Sequence, residues 1–323
     1  MDRPLRLATL NCLHDLGDAE LLQHRVRYDA ICRELLALNA DVIGLNEVTV
    51  TLLKHLLEEE WVRDRYTVSA IPDHGTCSHV SSTVTGGGAF GNLLLSRIAP
   101  LSVQYVGQLD GGEGRQSHVM SLCLRGPQSG GRRVHIAVAS THLKAFPWLM
   151  EGRRRAQLEH LTSTLTHSGD FDACVVMGDF NFHREAENAS IPESWGEVPA
   201  VVALGETWDY AKNKMLAHYL PLRNIYNGFG LGAGWGWIGW TSSSNTGMRL
   251  DRVLVHGAAL LDGCGAAEAR LFADQPVHER ARARPALPLA GPELRKAHRS
   301  LPWQDYLMCS DHFGIFVELP LHL

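Results

Sequence analysis

The chain has 323 residues, 45% of them apolar and 20% charged, a globular composition that excludes wholesale disorder, collagen, a coiled coil and a disulfide scaffold. Its 30 Lys and Arg residues face 35 Asp and Glu, a formal charge of −5. That excludes a protein holding nucleic acid by a sequence-blind basic surface; any nucleic acid is to be met locally, at a site.

In chain order, Leu5 to Leu10 reads as a strand stopping at Asn11, and Glu20 to Asn39 as a helix with Ile31, Leu35, Leu36 and Leu38 on its apolar side. A strand over Asp41 to Leu45 ends in Asn46 and Glu47. A helix follows over Leu52 to Trp61, then a strand near Tyr66 to Ile71 and a Ser/Thr/Gly loop over Asp73 to Gly88. Strands are predicted at Phe90–Ser96, Leu101–Val106 and Val119–Leu124, a turn at Gly126 to Gly131, and a strong β run from Val134 to Thr141 that ends at His142. Gly152 to Leu165 has helical periodicity, with Arg153, Arg154, Arg155, Gln157 and His160 read as its polar side. Ala173 to Met177 is a buried strand ending in Gly178, Asp179, Phe180 and Asn181. Regularity fades from Phe182 to Gly247. Arg249–Val255 is again a strand, Asp274 to Ser300 a Pro- and Arg-rich excursion, and Phe313–Leu319 a last strand after Ser310, Asp311 and His312. No repeat and no linker divides the chain, so residues 1–323 read as one domain. The seven cysteines include no CxxC pair and read as reduced, buried thiols of an intracellular protein. No signal peptide is expected, nor any stretch of the ~18 apolar residues that a membrane span needs.

The chemistry lies in the polar residues that terminate these runs: Asn11; Asn46 with Glu47; His142; Asp179 with Asn181; and Asp311 with His312, while Arg249 and Asp251 lie in a further strand. Alone, each reads as a turn or cap residue. As an ordered set, with the apolar runs fixing their positions, they can converge on one sheet edge and form a site on a rigid scaffold. The set is rich in oxygen donors and free of sulfur, which suits Mg²⁺ or Mn²⁺ and not structural zinc.

The stretches TLNC at 9–12, DVIGLNEV at 41–48, FGNLLLSR at 90–97, STHLKA at 140–145, GDFN at 178–181, RLDRVLV at 249–255 and SDHFG at 310–314 resemble, in order and spacing, the endonuclease/exonuclease/phosphatase superfamily of DNase I-like metal-dependent phosphoesterases. Asn46 departs from the pattern, since relatives usually carry Gln there. The resemblance implies an α/β fold, a four-layered sandwich of two packed mixed β-sheets flanked by helices. It implies Glu47 as the main Mg²⁺ ligand (Mn²⁺ being an alternative), with Asn11 and Asp311 close to the metal or its waters. Asp179 would orient or deprotonate the attacking water, and Asn181 would hold that water or a phosphoryl oxygen. His312, steered by Asp251, would contact the non-bridging phosphate oxygens, and His142 would share the rim.

Within the superfamily, ETWDYAKNKML at 206–216, RLDR at 249–252 and THL followed by an Arg-rich helix containing Gln157 resemble the tyrosyl-DNA phosphodiesterases, which release a topoisomerase tyrosine from a DNA 5′-phosphate. This implies a nucleic-acid or nucleotide phosphodiester substrate, a DNA 5′ end above all, a monomeric enzyme and a part in DNA repair. Trp208, His183 and Arg184 are the candidate substrate contacts, although that family places an Arg sooner after GDxN. STHLKA followed by Arg155, Ala156 and Gln157 also resembles the nocturnin/deadenylase type, which would make the chain a 3′-exoribonuclease or a 2′-phosphatase on the same core. Trp235, Trp237 and Trp240 in the Gly/Trp run at 230–241 are either packing residues or a stacking surface for bases. Arg280, Arg282, Arg284, Arg295, Lys296 and Arg299 are either a solvated face or a phosphate track. A binding module that had inherited the fold without catalysis would have lost a ligand position, and none is lost.

Overall fold

The alternation of β1 (Leu5–Asn11) sends Leu5 and Leu7 to one side and Ala8 and Leu10 to the other, and both sides are buried. The chain continues through α1 (His24–Leu38), β2 (Val42–Thr49), α2 (Val50–Glu58), α3 (Glu60–Arg65), β3 (Thr67–Val68) and β4 (Phe90–Ser96). Next come β5 (Ser102–Gly107), β6 (Gln116–Arg125), β7 (Arg133–His142), α4 (Glu151–His167) and β8 (Ala173–Asp179). A 3₁₀ turn at Glu185–Ser190 leads to β9 (Trp195–Glu197), α5 (Pro199–Leu204), β10 (Asp251–His256), α6 (Ala258–Leu261) and β11 (Glu268–Phe272). The short pair β12 (His278–Glu279) and β13 (Tyr306–Leu307) precedes β14 (Gly314–Leu319). The computed structural model describes residues 3–14, 23–70, 90–107, 116–125, 133–145, 150–204, 249–273, 277–279, 306–307, 309–310 and 312–321.

Two six-stranded mixed sheets result, ordered β11-β14-β1-β2-β4-β3 and β5-β6-β7-β8-β10-β9. Each holds a parallel pair, β1–β2 in one and β7–β8 in the other, with antiparallel partners around it. Leu5, Leu7, Val42, Leu94, Val138, Val175, Met177, Val253 and Val317 fill the space between the sheets. Ala8, Leu10, Ile43 and Leu45 meet α1 and α2 on the outside of the first sheet. Ala137, Ala139, Val176 and Leu254 meet Leu158, Leu161 and Leu165 of α4 outside the second. This is the four-layered sandwich, and each fully buried Leu, Ile or Val contributes about 1.5–3 kcal/mol to it. The sheets approach closely at Gly44, where an added Cβ would stand 3.0 Å from Met177 and 3.2 Å from Ser140.

The elements depart from the sequence reading where local signals mislead. The strand expected to stop at Leu45 runs on to Thr49 through a bulge, because Leu45 pairs with Leu93 and Val48 with Gly91, setting two residues against one. The helix expected over Leu52 to Trp61 is two helices, broken at Glu59 by an extended backbone. Of the strand expected near Tyr66 to Ile71, the described residues hold only the two of Thr67–Val68. The expected helix from Glu20 starts at His24 among the described residues and ends where Asn39 takes a left-handed conformation.

Candidate active site

The residues that fill the sandwich alternate along each strand, and at one end of β1, β7, β8 and β10 the same inward stripe turns from apolar to polar. On β1 the stripe runs Leu5, Leu7, Thr9, Asn11; on β7 it runs Ile136, Val138, Ser140, His142; on β8 it runs Val175, Met177, Asp179. On β10 it begins with Asp251 and continues with Val253 and Val255. Pairing aligns these ends, Asn11 with Asn46, His142 with Asp179 and Asp179 with Asp251. The site is thus the polar continuation of the inter-sheet core.

Asn11 Nδ2 donates to Asp179 Oδ2 at 3.0 Å and to Glu47 Oε1 at 3.3 Å, joining the two sheets. His142 Nε2 lies 3.4 Å from Asp179 Oδ2 and 3.9 Å from Glu47 Oε1. His312 Nδ1 donates to Asp251 Oδ2 at 2.7 Å, which turns Nε2 toward Asp179 Oδ2, 3.7 Å away. The remaining Asp179 oxygen accepts the Asn181 N–H at 2.8 Å, and Asn181 Nδ2 donates to the Leu143 carbonyl. Burial pushes the Asp179 carboxyl well above the usual carboxylate range; His312 opposes the shift and Asp251 adds to it. Glu47 differs, with its side chain 15% exposed at the rim against 2% for Asp179.

Backbone strain concentrates here. Glu47, in the bulge, has φ 57, and Asn181 has φ 50, both left-handed conformations that side chains adopt at a cost. Gly178 has φ 137, and a Cβ there would stand 2.0 Å from the Thr141 carbonyl oxygen. The surroundings hold these conformations. Asn46 Oδ1 accepts the Asp179 N–H, and its Nδ2 donates to Asn92 Oδ1 and the Thr141 carbonyl. The residue that departs from the superfamily pattern therefore stitches β2 to both β7 and β8.

Two buried arginines brace the loops behind the site. Arg27 of α1 donates to the carbonyls of Cys12, Leu13 and Cys309, and Ser310 Oγ donates to the Asn11 carbonyl. Arg154 of α4 pairs with Glu187 at 2.7 Å and donates to the Lys144 carbonyl. Glu187 in turn accepts the N–H groups of His183 and Arg184. This corrects the reading of Arg154 and Gln157 as polar-side residues of the helix. Both are buried, and Gln157 accepts the Lys144 N–H.

The structure therefore brings together Asn11, Glu47, His142, Asp179, Asn181, Asp251 and His312. His183 sits beside the group with its ring pKa pushed down to about 3 by burial, Arg154 and His312, so the ring is neutral. Arg184 is exposed, 4.0 Å from Glu151. Asp311, Trp208, the 230–241 run and the cluster from Arg280 to Arg299 lie outside the described residues. Sequence reasoning passed over His14, whose N–H donates to Glu47 Oε2 at 3.0 Å and whose ring stacks on Phe90 at 4.9 Å. Its position two residues past TLNC was the available signal.

The family described as Endonuclease/Exonuclease/phosphatase matches residues 8–312. The chain belongs to that family. All three activities in the family's description hydrolyse phosphoester bonds, and the chain is a hydrolase of that class. No curated protein matches it in sequence. Among solved structures, a truncated Caenorhabditis elegans TDP2 superposes with a TM-score of 0.60 at 16% identity, covering 98% of this chain and 96% of that one. Zebrafish TDP2 complexed with a single-strand DNA product gives 0.60 at 15%, covering 99% and 100%. A Bacteroides thetaiotaomicron mannosyl-6-phosphatase gives 0.57 at 12%, covering 98% and 99%. At these identities the likeness is one of fold. Among the described residues, no helix is long and apolar enough to cross a membrane.

Proposed function

We propose that the chain is a divalent-metal-dependent phosphodiesterase acting at nucleic-acid ends, with a 5′-tyrosyl-DNA phosphodiester as the favoured substrate. The observation that carries the reading is the meeting of Glu47, Asp179 and two imidazoles around Asn11 at one end of the sandwich. The donor set fits Mg²⁺ or Mn²⁺, because it is oxygen-rich and Glu47 is open to solvent, within reach of a hydrated ion. Glu47 would hold the ion, with Asn11 beside it and Asp311 as a further expected ligand. Once bound, the ion would supply charge stabilisation at the phosphoryl oxygens.

The protein's own groups account for the rest. Asp179, with its raised pKa, is suited to take a proton from the attacking water near neutral pH. Asn181, braced through Leu143, would orient that water. His312, held by Asp251 on one nitrogen, presents the other toward the phosphate, and His142 does so from the neighbouring strand. Support for a DNA end comes from the ETWDYAKNKML resemblance and from the fold shared with a TDP2 that binds single-strand DNA product.

The test compares 5′-tyrosyl DNA, poly(A) RNA and a sugar 6-phosphate, each over a Mg²⁺ titration. Turnover of the first alone is expected. Preference for poly(A) would move the reading to a 3′-exoribonuclease, and preference for the sugar phosphate to a phosphatase. Full activity in the presence of a chelator would overturn the metal-dependent mechanism.

A further inference from the structure

On the outer helical layer of the first sheet, three donor groups face one another across α1 and the α2–α3 corner, and a fourth, Asp29, stands beside the His55 ring. Asp29 and Cys32 lie three residues apart on α1; His55 lies on α2, and Glu59 forms the break between α2 and α3. That spacing puts Asp29 and Cys32 on a single face of α1. The Cys32 thiol, the His55 ring and a Glu59 carboxylate oxygen come within 4.8 Å of one another. Cys32 is 3% exposed and, among the described residues, its sulfur has no hydrogen-bond partner. His55 Nε2 is enclosed and, among the described residues, makes no hydrogen bond; Asp29 Oδ1 stands 3.0 Å away. The Tyr28 ring packs against the imidazole at 5.7 Å, and Trp61 Nε1 donates to Glu59 Oε2, leaving the other oxygen of that carboxylate available. A cleft of about 260 Å³ lined by Asp29, Cys32, Arg33, Leu36, Glu59 and Trp61 leads to the cluster from solvent.

We propose that Cys32, His55 and Glu59, with Asp29 as fourth ligand, form a zinc site that clamps the α2–α3 corner onto α1. One sulfur, one imidazole nitrogen and two carboxylate oxygens make a borderline-soft set that suits zinc and does not suit Mg²⁺. The three donors already within 4.8 Å of one another would have to close on the ion to Zn–S of about 2.3 Å and Zn–N or Zn–O of about 2.0–2.2 Å. None of its donors is among the residues that meet at the sandwich rim.

The experiment titrates Zn²⁺ and, separately, Co²⁺ into the reduced 323-residue chain carrying Glu47→Ala and Asp179→Asn, so that the rim does not compete. Binding is expected with a thiolate-to-cobalt charge-transfer band and a rise in Tm with Zn²⁺. Cys32→Ser should abolish the band, and Glu59→Gln should weaken Zn²⁺ binding about tenfold or more while keeping the band. Cys32→Ser in the otherwise unaltered chain should leave phosphodiesterase turnover unchanged. Absence of the band in the parent protein, its survival in Cys32→Ser, or unaltered Zn²⁺ affinity in both Glu59→Gln and His55→Gln would overturn the site. If Cys32→Ser does not fold, the last pair decides alone.

Discussion

In the first half of the molecule, β1, α1 and β2 form a parallel pair joined by a helix; in the second, β7, α4 and β8 form the same unit. Each contributes a polar residue from its first strand, Asn11 or His142, and a carboxylate from its second, Glu47 or Asp179. Each helix buries an arginine in its fourth position, and each arginine binds the loop that follows the first strand. The charges are handled differently. Glu47 stands at the rim in a bulge, open to an ion, whereas Asp179 is enclosed, and its burial raises its pKa. Arg27 rests on neutral carbonyls among the described residues, whereas Arg154 is answered by a buried carboxylate. One unit offers an accessible charge and the other a desolvated one, so two copies of similar architecture supply two kinds of carboxylate.

The sharpest way to break this comparison is through the arginines. Arg154→Met should destabilise the fold by about 3–5 kcal/mol in urea unfolding, because it leaves Glu187 charged and buried without its partner. Adding Glu187→Gln should recover more than half of that loss. Arg27→Met has no such rescue among the described residues, since neutral carbonyls carry no charge to remove. If Arg154→Met unfolds at the wild-type midpoint, the difference between the halves is not energetic.

Next in size is the division of labour between the carboxylates. Glu47→Ala and Asp179→Asn should each lower Mg²⁺-dependent hydrolysis of a nitrophenyl phosphodiester by about 10²–10³. They should do so differently. Excess Mg²⁺ should restore part of the rate to Glu47→Ala and none to Asp179→Asn, and equal rescue of both would merge the two roles. A smaller effect is expected at Gly178, where Ala meets the Thr141 carbonyl and a positive φ together. A loss of about 1–3 kcal/mol should appear in unfolding, larger than for Ala at the exposed Gly152, where a Cβ meets nothing within 4 Å.

Much of this site was legible because its logic is that of the core. A strand with alternating apolar residues that ends in Asn11, His142 or Asp179 announces where the inward stripe turns polar, and pairing brings such ends together. The bulge at Asn46 and Glu47 was not legible, since the extra residue appears only against Leu93 and Gly91 on the partner strand. Nor was the burial of Arg154. Helical periodicity reads an arginine as outward-facing, and its partner Glu187 lies 33 residues away in a 3₁₀ turn that carries no periodic signal. Asn46 reads in the sequence as a neighbour of the expected metal ligand, and only the approach of the sheets shows it bonded to β7 and β8.

The finest test concerns His183, which lies beside the arginine of the second half. Its ring pKa is pushed down to about 3 in the folded chain by burial first, then by Arg154 and His312, from an ordinary value of about 6.5. Between these values the unfolded chain binds a proton that the folded chain does not, so stability rises with pH across that window. The stabilisation is complete above about 6.5 and drains away as pH falls toward 3. In urea unfolding, the wild-type midpoint should therefore fall between pH 6.5 and pH 4.5, and His183→Gln should flatten that fall. Identical slopes in the two proteins would mean that the ring titrates freely. In Arg154→Met with Glu187→Gln the cation that lowers the ring pKa most is gone, so the His183 ring, followed by NMR, should titrate at a higher pH than in the wild type. Burial alone would leave that titration unmoved, and the comparison separates the effect of the second-half arginine from that of the cavity it lines.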